Sequence, residues 1–459
     1  MKLRNDPDIL IVGSGVSGLL AAVGIAKASA QRERALNVTI IEKRSRIGGV
    51  MASPVSDLKF TYSFKHSHRE GLTGLVGSKV AEQLAFKLRN ILHEILPHTA
   101  TEDGLTIPTH YIPTKIKDKI QNLPRVSIIE RPLGCIEYIG TEYGPEIVAR
   151  IASSLSEKGV RFLTKTSLDR VELASGKILT RISHNSDELI SLKPRFLILA
   201  MGIGGQMQFF NQLKNLKVTM SGNEVDIGIK VEMPWTSVSD IASNIGCNPK
   251  LVFRNSIGNI RTFCFNYRGF VTCYRFHRHL MTVDGYSILA RQSSNTPFSL
   301  LAGFKPKSET PEASLGLVMR LMKRVIQIGH GQPLLQLFGD LERSTITSAS
   351  TLRNNKVKPT LKHFAMSKLY NVLPGADSFV DTLHEMDQIC PEVAQKSTLI
   401  YFPQTAWGPL KLQVSSCMET SVENIFAVGE FCGQTQGIVE SAASGLICGT
   451  EVGTRLTAA

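Results

Sequence analysis

The stretch Asp8-Ile9-Leu10-Ile11-Val12-Gly13-Ser14-Gly15-Val16-Ser17-Gly18 decides the fold. Asp8 to Val12 is a short apolar run with β-branched residues, the composition of a buried strand. It stops at Gly13, and from Val16 the residues Leu19, Leu20, Ala22, Val23 and Ile25 crowd into a helical pattern. Gly13 permits a tight turn, Gly15 lets backbone approach a pyrophosphate, and Gly18 lets the helix pack closely on the strand. The helix start at Gly15, Val16 and Ser17 then offers free N–H groups and a positive dipole end to phosphates. The motif carries weight here because a strand precedes it and a helix follows.

Working outward, a polar loop at Gln31 to Arg34 leads to a second apolar strand, Val38 to Ile41, which ends at Glu42. That order is a βαβ unit, and Glu42 is placed to accept hydrogen bonds from an adenosine ribose. The spacing from Gly13 to Glu42 is longer than usual, and the loop absorbs the difference. Beyond it, Ile147, Ile151 and Leu155 recur at helical spacing up to Gly159, and Val160 to Leu163 reads as a strand. Val171 to Ile182 reads as a hairpin turning at Ser175-Gly176. Phe196 to Ala200 is an apolar strand, with Gly202-Ile203-Gly204-Gly205 read as its end and not as a helix start. Asn424 to Val428 returns as a buried strand and Ile438 to Gly449 as the last helix. The fold class expected is α/β. A discontinuous Rossmann-like domain with a parallel sheet takes residues 1–50, 135–210 and 415–459, and an inserted mixed α+β substrate or cap domain takes 51–134 and 211–414.

Bulk properties narrow the class. The chain has 459 residues, 42% hydrophobic and 20% charged, with mean hydropathy +0.01. This is globular composition and excludes disordered and fibrous proteins. Eight cysteines form no CxxC pair and no zinc spacing, the pattern of a reduced, cytoplasmic protein. The apolar run Ile9 to Ile25 follows Asp6 and Asp8 and is broken by glycines, so it reads as fold and not as a leader. No membrane span is expected. The net charge of +13 comes without a nucleic-acid module signature. It reads as a solvated basic surface, or as one that steers an anionic substrate or acidic carrier.

Three segments together resemble the glutathione-reductase-like FAD superfamily. They are Glu42 followed by Gly48-Gly49, the strand Leu197-Ile198-Leu199-Ala200-Met201-Gly202, and Ile425-Phe426-Ala427-Val428-Gly429-Glu430 leading to Gly437 and a helix. The resemblance implies FAD, held by Gly13, Gly15, Val16, Ser17, Gly18, Glu42, Lys43, Arg46, Gly48, Gly49, Gly202, Gly429, Glu430, Gly437 and Ile438. It also implies that the last helix aims its N-terminus at the N1/O2 edge of the flavin. Most of the chain is similar to a group of bacterial FAD-dependent dehydrogenases, also termed NAD(P)/FAD-dependent oxidoreductases. The similarity rests on Ile139-Gly140-Thr141-Glu142, Asp226 to Pro234, and Gly437 to Ala443. Two stretches depart from that group, Cys264 to Gly269 and Phe60 to His66, and both are expected near the flavin.

Flavin chemistry leaves the protein to orient a substrate and manage one proton. Tyr267, Arg268, His277 and His279 are the catalytic candidates, on short strands of the substrate domain. The alternative for the histidines is a polar solvent-facing strand. His66 and His68 lack a carboxylate or thiol at metal spacing, so no metal is expected. Cys432 reads as a buried structural thiol, and Tyr401 and Trp407 as wall or packing residues. The expected function is an FAD-dependent oxidoreductase of dehydrogenase or oxidase type, moving a hydride between a small or carrier-bound substrate and flavin N5. The lack of a second GxGxxG unit limits NAD(P)H to a transient partner. The alternatives are an NAD(P)H-dependent reductase of C=C or C=N bonds, a non-catalytic binding or escort protein, and an RNA-modifying flavoenzyme.

Overall fold

Strands β1 (Ile9–Val12), β2 (Val38–Ile41), β3 (Arg161–Leu163) and β4 (Phe196–Leu199) lie side by side with the C-terminal strand Ile425–Ala427. All pairs are parallel, in the spatial order Ile425–Ala427, β4, β1, β2, β3. The computed structural model describes residues 6–30, 37–53, 55–64, 70–96, 114–129, 136–185, 188–239, 250–277, 280–406 and 408–458. β1 is buried at all four positions, which is why its sequence is continuously apolar instead of alternating. The Rossmann-like α/β architecture read from the sequence is the one observed.

Helices α1 (Val16–Ala28), α2 (Ser78–Ile95) and α3 (Gly144–Glu157) share one apolar cluster with this sheet. Residues 78–95 were expected in the cap. Instead Ala81, Ala85, Leu88 and Leu92, at helical spacing, bury against the parallel-sheet unit. The hairpin Thr166–Ala174 and Lys177–His184 gains a third strand, Glu188–Leu192. Sequence reading is also corrected at Gly202, where a helix does begin: α4 spans Gly202–Asn215. Burial of Phe209 and Leu213 outweighs the poor helix propensity of Gly202, Gly204 and Gly205. A Cβ at 204 or 205 would crowd Phe276 or Met201 and Phe431. The final helix is longer than expected, Ile438–Ala458.

The second unit is an eight-stranded sheet built around β5 (Val225–Pro234). β6 (Gly258–Phe263) leads to the separate hairpin of β7 (Phe270–His277) and β8 (Leu280–Tyr286). β9 (Asn295–Phe304) and β10 (Leu399–Ala406) then flank β5 on either side, both antiparallel. Alternation gives β5 two unlike faces. Val225, Ile227, Ile229, Val231 and Met233 join the apolar cluster beneath α5 (Pro311–Ile328) and α6 (Ala376–Ile389). Asp226, Lys230 and Glu232 take the other face. Arg261 of β6 and Gln404 of β10 share it, because Arg261 pairs with Leu301, and Gly228 pairs with both Leu301 and Gln404. This polar face is turned toward the parallel sheet.

Candidate cofactor and substrate site

A cavity of about 820 Å³ lies between the two sheets. Val12, Ile41 and Ala200 line it, so it opens at the carboxyl ends of β1, β2 and β4, where ligands bind in open α/β sheets. Three helix N-termini face it: α1 at Gly15 to Ser17, α4 at Gly202 to Gly205, and the C-terminal helix at Gly437 to Val439. Each brings unsatisfied N–H groups and positive dipole ends, a field suited to phosphates.

The glycine motif divides its work between packing and open space. Gly13 has φ +105°, and a Cβ there would overlap the carbonyl oxygen of Ala200. A Cβ on Gly18 would overlap the carbonyl of Gly13, so α1 sits close to the turn. Gly15 differs: nothing stands within 4 Å of its would-be Cβ, and the same holds at Gly202 and Gly437. All three open onto the cavity. Glu42 is 7% exposed and its carboxylate lines the cavity. It accepts from Ser14 Oγ at 2.7 Å, Ser14 N at 3.2 Å and Arg44 N at 2.9 Å. Ser14 Oγ in turn accepts from Gly48 N at 3.1 Å, tying the glycine pair to the motif.

Of the residues expected to hold a cofactor, Gly13, Gly15, Val16, Ser17, Glu42, Lys43, Gly49, Gly202, Glu430, Gly437 and Ile438 line the cavity. Gly18, Gly48 and Gly429 lie behind this wall; Gly429 donates its N–H to Ser444 Oγ at 2.8 Å. Arg46 is exposed and stands outside the lining of the cavity. Burial raises the Glu430 carboxyl, and the Gly437 N–H lowers it. Cys432 is buried, and burial pushes its thiol up to about 11, which leaves it inert.

The catalytic candidates are revised. Tyr267 and Arg268 do not line the cavity; they pack on Trp235, with the Arg268 guanidinium 4.9 Å from that ring and Tyr267 edge-on at 6.0 Å. His279 and the side chain of His277 lie outside the described residues, as do His66, His68 and Trp407. Tyr401 is wholly buried and donates to Glu232 at 2.5 Å, so it packs instead of walling the cavity. Among the described residues no group of histidine, cysteine and acid side chains is arranged to hold a metal.

Sequence reading missed a polar floor on the mixed-sheet side. Asp57, Lys59, Cys264 and Asp284 line the cavity, with Lys230 wholly buried beneath. Lys59 pairs with Asp57 at 2.7 Å and donates to the Phe265 carbonyl. Lys230 donates to the Cys264 carbonyl at 3.1 Å and Asn266 Oδ1 at 2.8 Å, and lies 3.5 Å from Asp284 Oδ1. Asn266 Nδ2 closes the network on Asp57 at 2.7 Å. Two lysines thus hold successive carbonyls of a turn whose Cys264 has φ +42°. Burial raises the Asp284 carboxyl against the pull of Lys230, and burial lowers the Lys230 ammonium against the pull of Asp284. Burial also pushes the Cys264 thiol up to about 12, so it stays protonated. The period-two pattern Thr282, Asp284 on β8 was the available signal, but its facing direction depended on the tertiary fold.

Residues 11–85 match the family described as NAD(P)-binding Rossmann-like domain. No curated protein matches the chain. Among solved structures, it is similar to a geranylgeranyl bacteriochlorophyll reductase-like protein of Thermoplasma acidophilum. The two are 14% identical over 99% of this chain and 79% of that one, with TM-score 0.46. It is also similar to the quinol fumarate reductase of E. coli, 12% identical over 99% and 71%, TM-score 0.41. A flavoprotein/dehydrogenase of Cytophaga hutchinsonii is 9% identical over 97% and 76%, TM-score 0.39. Likenesses this distant carry no argument about chemistry.

Proposed function

We propose that the protein is an FAD-dependent oxidoreductase that exchanges a hydride with a small or carrier-bound organic substrate. One observation carries the reading. Gly15, Gly202 and Gly437 each leave open the space a side chain would fill, on one cavity faced by three helix N-termini. Gly13 and Gly15 at the start of α1 would hold the pyrophosphate, and Glu42 the adenosine ribose. The return of the chain at residues 429–441 supports FAD over a nicotinamide dinucleotide, because it adds a further helix start to the cavity. Bound FAD supplies the two-electron acceptor that no side chain provides.

The protein's own work is on the substrate side. Asp284 faces the cavity with Oδ1 held by the Gly285 N–H at 2.8 Å and Lys230 behind it. Its carboxylate is the group suited to take the proton from a substrate O–H or N–H as the C–H hydride leaves, or to return it in the reverse direction. Burial pushes the Cys264 thiol up, which disfavours a thiolate relay there.

A visible spectrum of the purified protein tests the cofactor. Flavin absorbance with FAD released on denaturation is expected, and a colourless protein that takes up no FAD overturns the proposal. Anaerobic mixing with NADPH then separates dehydrogenase from reductase. Bleaching by NADPH alone reassigns the protein to the reductase class.

A further inference from the structure

Strand β10 carries one residue more than the stretch of β5 it pairs with. Gly228 stands opposite Gln404 and Lys230 opposite Tyr401, so two steps along β5 match three along β10. In regular alternation Tyr401 and Gln404 would point to opposite faces of the sheet. The bulge turns both onto the polar face, where Tyr401 donates to Glu232 and Gln404 lines the cavity. Gln404 is only 1% exposed, and its Oε1 accepts from Ser299 Oγ of β9 at 3.0 Å. That bond crosses over β5 beside Gly228, which has no side chain to block it. Ser299 is wholly buried, so its hydroxyl commits the amide oxygen and leaves the amide nitrogen to the cavity. Among the described residues no acceptor stands within hydrogen-bond reach of Gln404 Nε2.

An amide N–H held this far from bulk water bonds a ligand oxygen more strongly than an exposed one does. It carries no charge, so its fitting partner is a neutral acceptor such as a carbonyl oxygen. Phe263 and Ala406, packed together, add apolar surface to the same wall. β8 passes over β10 at the next residue, where Thr405 donates its N–H to Thr282 Oγ1 at 2.9 Å. Thr282 and, two residues on, Asp284 both face the cavity, so Gln404 and Asp284 border one stretch of it. We propose that Gln404 forms a carbonyl-binding subsite. The substrate then carries a carbonyl oxygen on an apolar body, docked on Gln404 Nε2 and apart from the O–H or N–H that Asp284 serves. Calling this ligand the substrate rests on the oxidoreductase reading, whereas the subsite itself does not.

Calorimetric titration of the FAD-loaded protein with para-hydroxyacetophenone and with para-isopropylphenol tests the subsite. The two probes share ring and hydroxyl and differ in the carbonyl oxygen. The ketone should bind about fivefold or more tightly, the scale of one hydrogen bond to a buried donor. Gln404→Leu, which removes the amide, should abolish the preference. Gln404→Glu should abolish it too, because it keeps an oxygen for Ser299 but turns the donor into an acceptor. Ser299→Ala lets the amide turn and should shrink the preference. Thermal melts establish that the variants fold. Equal affinity for the two probes, or no binding of either, overturns the subsite. A ketone preference that survives Gln404→Leu or Gln404→Glu overturns the assignment to this amide, and one undiminished in Ser299→Ala overturns the orienting role of Ser299. A protein without flavin overturns the oxidoreductase reading, and the same titration of that protein still decides the subsite.

Discussion

Gly13 and Gly15 stand two residues apart in one motif, yet the structure gives them opposite jobs. At Gly13 a side chain collides with the Ala200 carbonyl and φ is +105°, so the requirement belongs to folding. At Gly15 the backbone is extended, φ −65° and ψ 176°, and the space beyond is empty. The requirement there belongs to a ligand. Gly13→Ala should cost about 2 kcal/mol or more of stability in thermal or urea unfolding, the scale of a strained non-glycine conformation. Gly15→Val should melt within about 0.5 kcal/mol of the parent when both are freed of cofactor, but should purify with little FAD. Equal FAD content in Gly15→Val and the parent contradicts the cradle. The sequence motif made both glycines legible as a pair. The motif also separated a turn at Gly13 from a phosphate approach at Gly15; what it could not give was the Ala200 carbonyl that excludes a side chain at Gly13, because Ala200 is remote in sequence.

The element that organises the cavity is the pair formed by α1 and the C-terminal helix. A Cβ at Gly445 would overlap the Ser17 carbonyl, and one at Gly449 the Ala21 carbonyl, while Gly453 abuts Ala28. Contacts advance together along both helices, so they run parallel and present both N-termini to the cavity. Gly449→Leu should force them apart, costing about 3 kcal/mol as an overpacked contact, and should weaken FAD retention with it. Near the other end of the C-terminal helix, Arg455 grips Glu419 through Nη1 at 2.8 Å and Nη2 at 2.7 Å. Burial works to raise the Glu419 carboxyl, but these bonds and the Asn424 N–H hold it below the ordinary range. A depressed folded value means the tether stabilises fully above the unfolded pKa of glutamate and fades as pH falls through the folded one. Glu419→Gln should therefore melt lower at pH 7, by about 1 kcal/mol for a partly exposed pair. The deficit should shrink in acid, and a deficit that grows in acid contradicts the assignment. Helix periodicity made α3 and the core of the C-terminal helix readable. It was equally present in α2 as Ala81, Ala85, Leu88 and Leu92, but irregular flanks hid it. α4 was hidden by its glycines, whose value lies in close packing on Phe276 and Phe431.

At the scale of the molecule, the parallel sheet was legible because continuous burial leaves an unmistakable apolar run. The mixed sheet was not, because its eight strands come from distant parts of the chain and their faces carry a working polar surface. Lys230, Arg261 and Asp284 look like solvent-facing residues until the sheet is set against the cavity. The two units also meet across the cavity at a directed side-chain contact. Arg44, two residues past Glu42, donates from Nη2 to the hydroxyl of Tyr274 at 2.7 Å, with its guanidinium 5.6 Å from the ring centroid. Arg44 and Tyr274 both line the cavity, one from the loop after β2 and the other from β7. The backbone N–H of Arg44 also fixes the Glu42 carboxylate, so the bridge couples the position of the β7–β8 hairpin to the end of the site proposed for the adenosine. Tyr274→Phe keeps the ring and removes only the hydroxyl. Loss of one part-buried, charge-assisted bond is worth about 1.5 kcal/mol, which corresponds to roughly tenfold in rate. FAD should therefore dissociate about tenfold faster from Tyr274→Phe, measured by the rise of free-flavin fluorescence after dilution. Arg44→Lys should lose the directed bond as well, and the double variant should be no faster than either single one. Additive effects of the two substitutions would show that Arg44 and Tyr274 act separately and that the bridge does not hold the halves together.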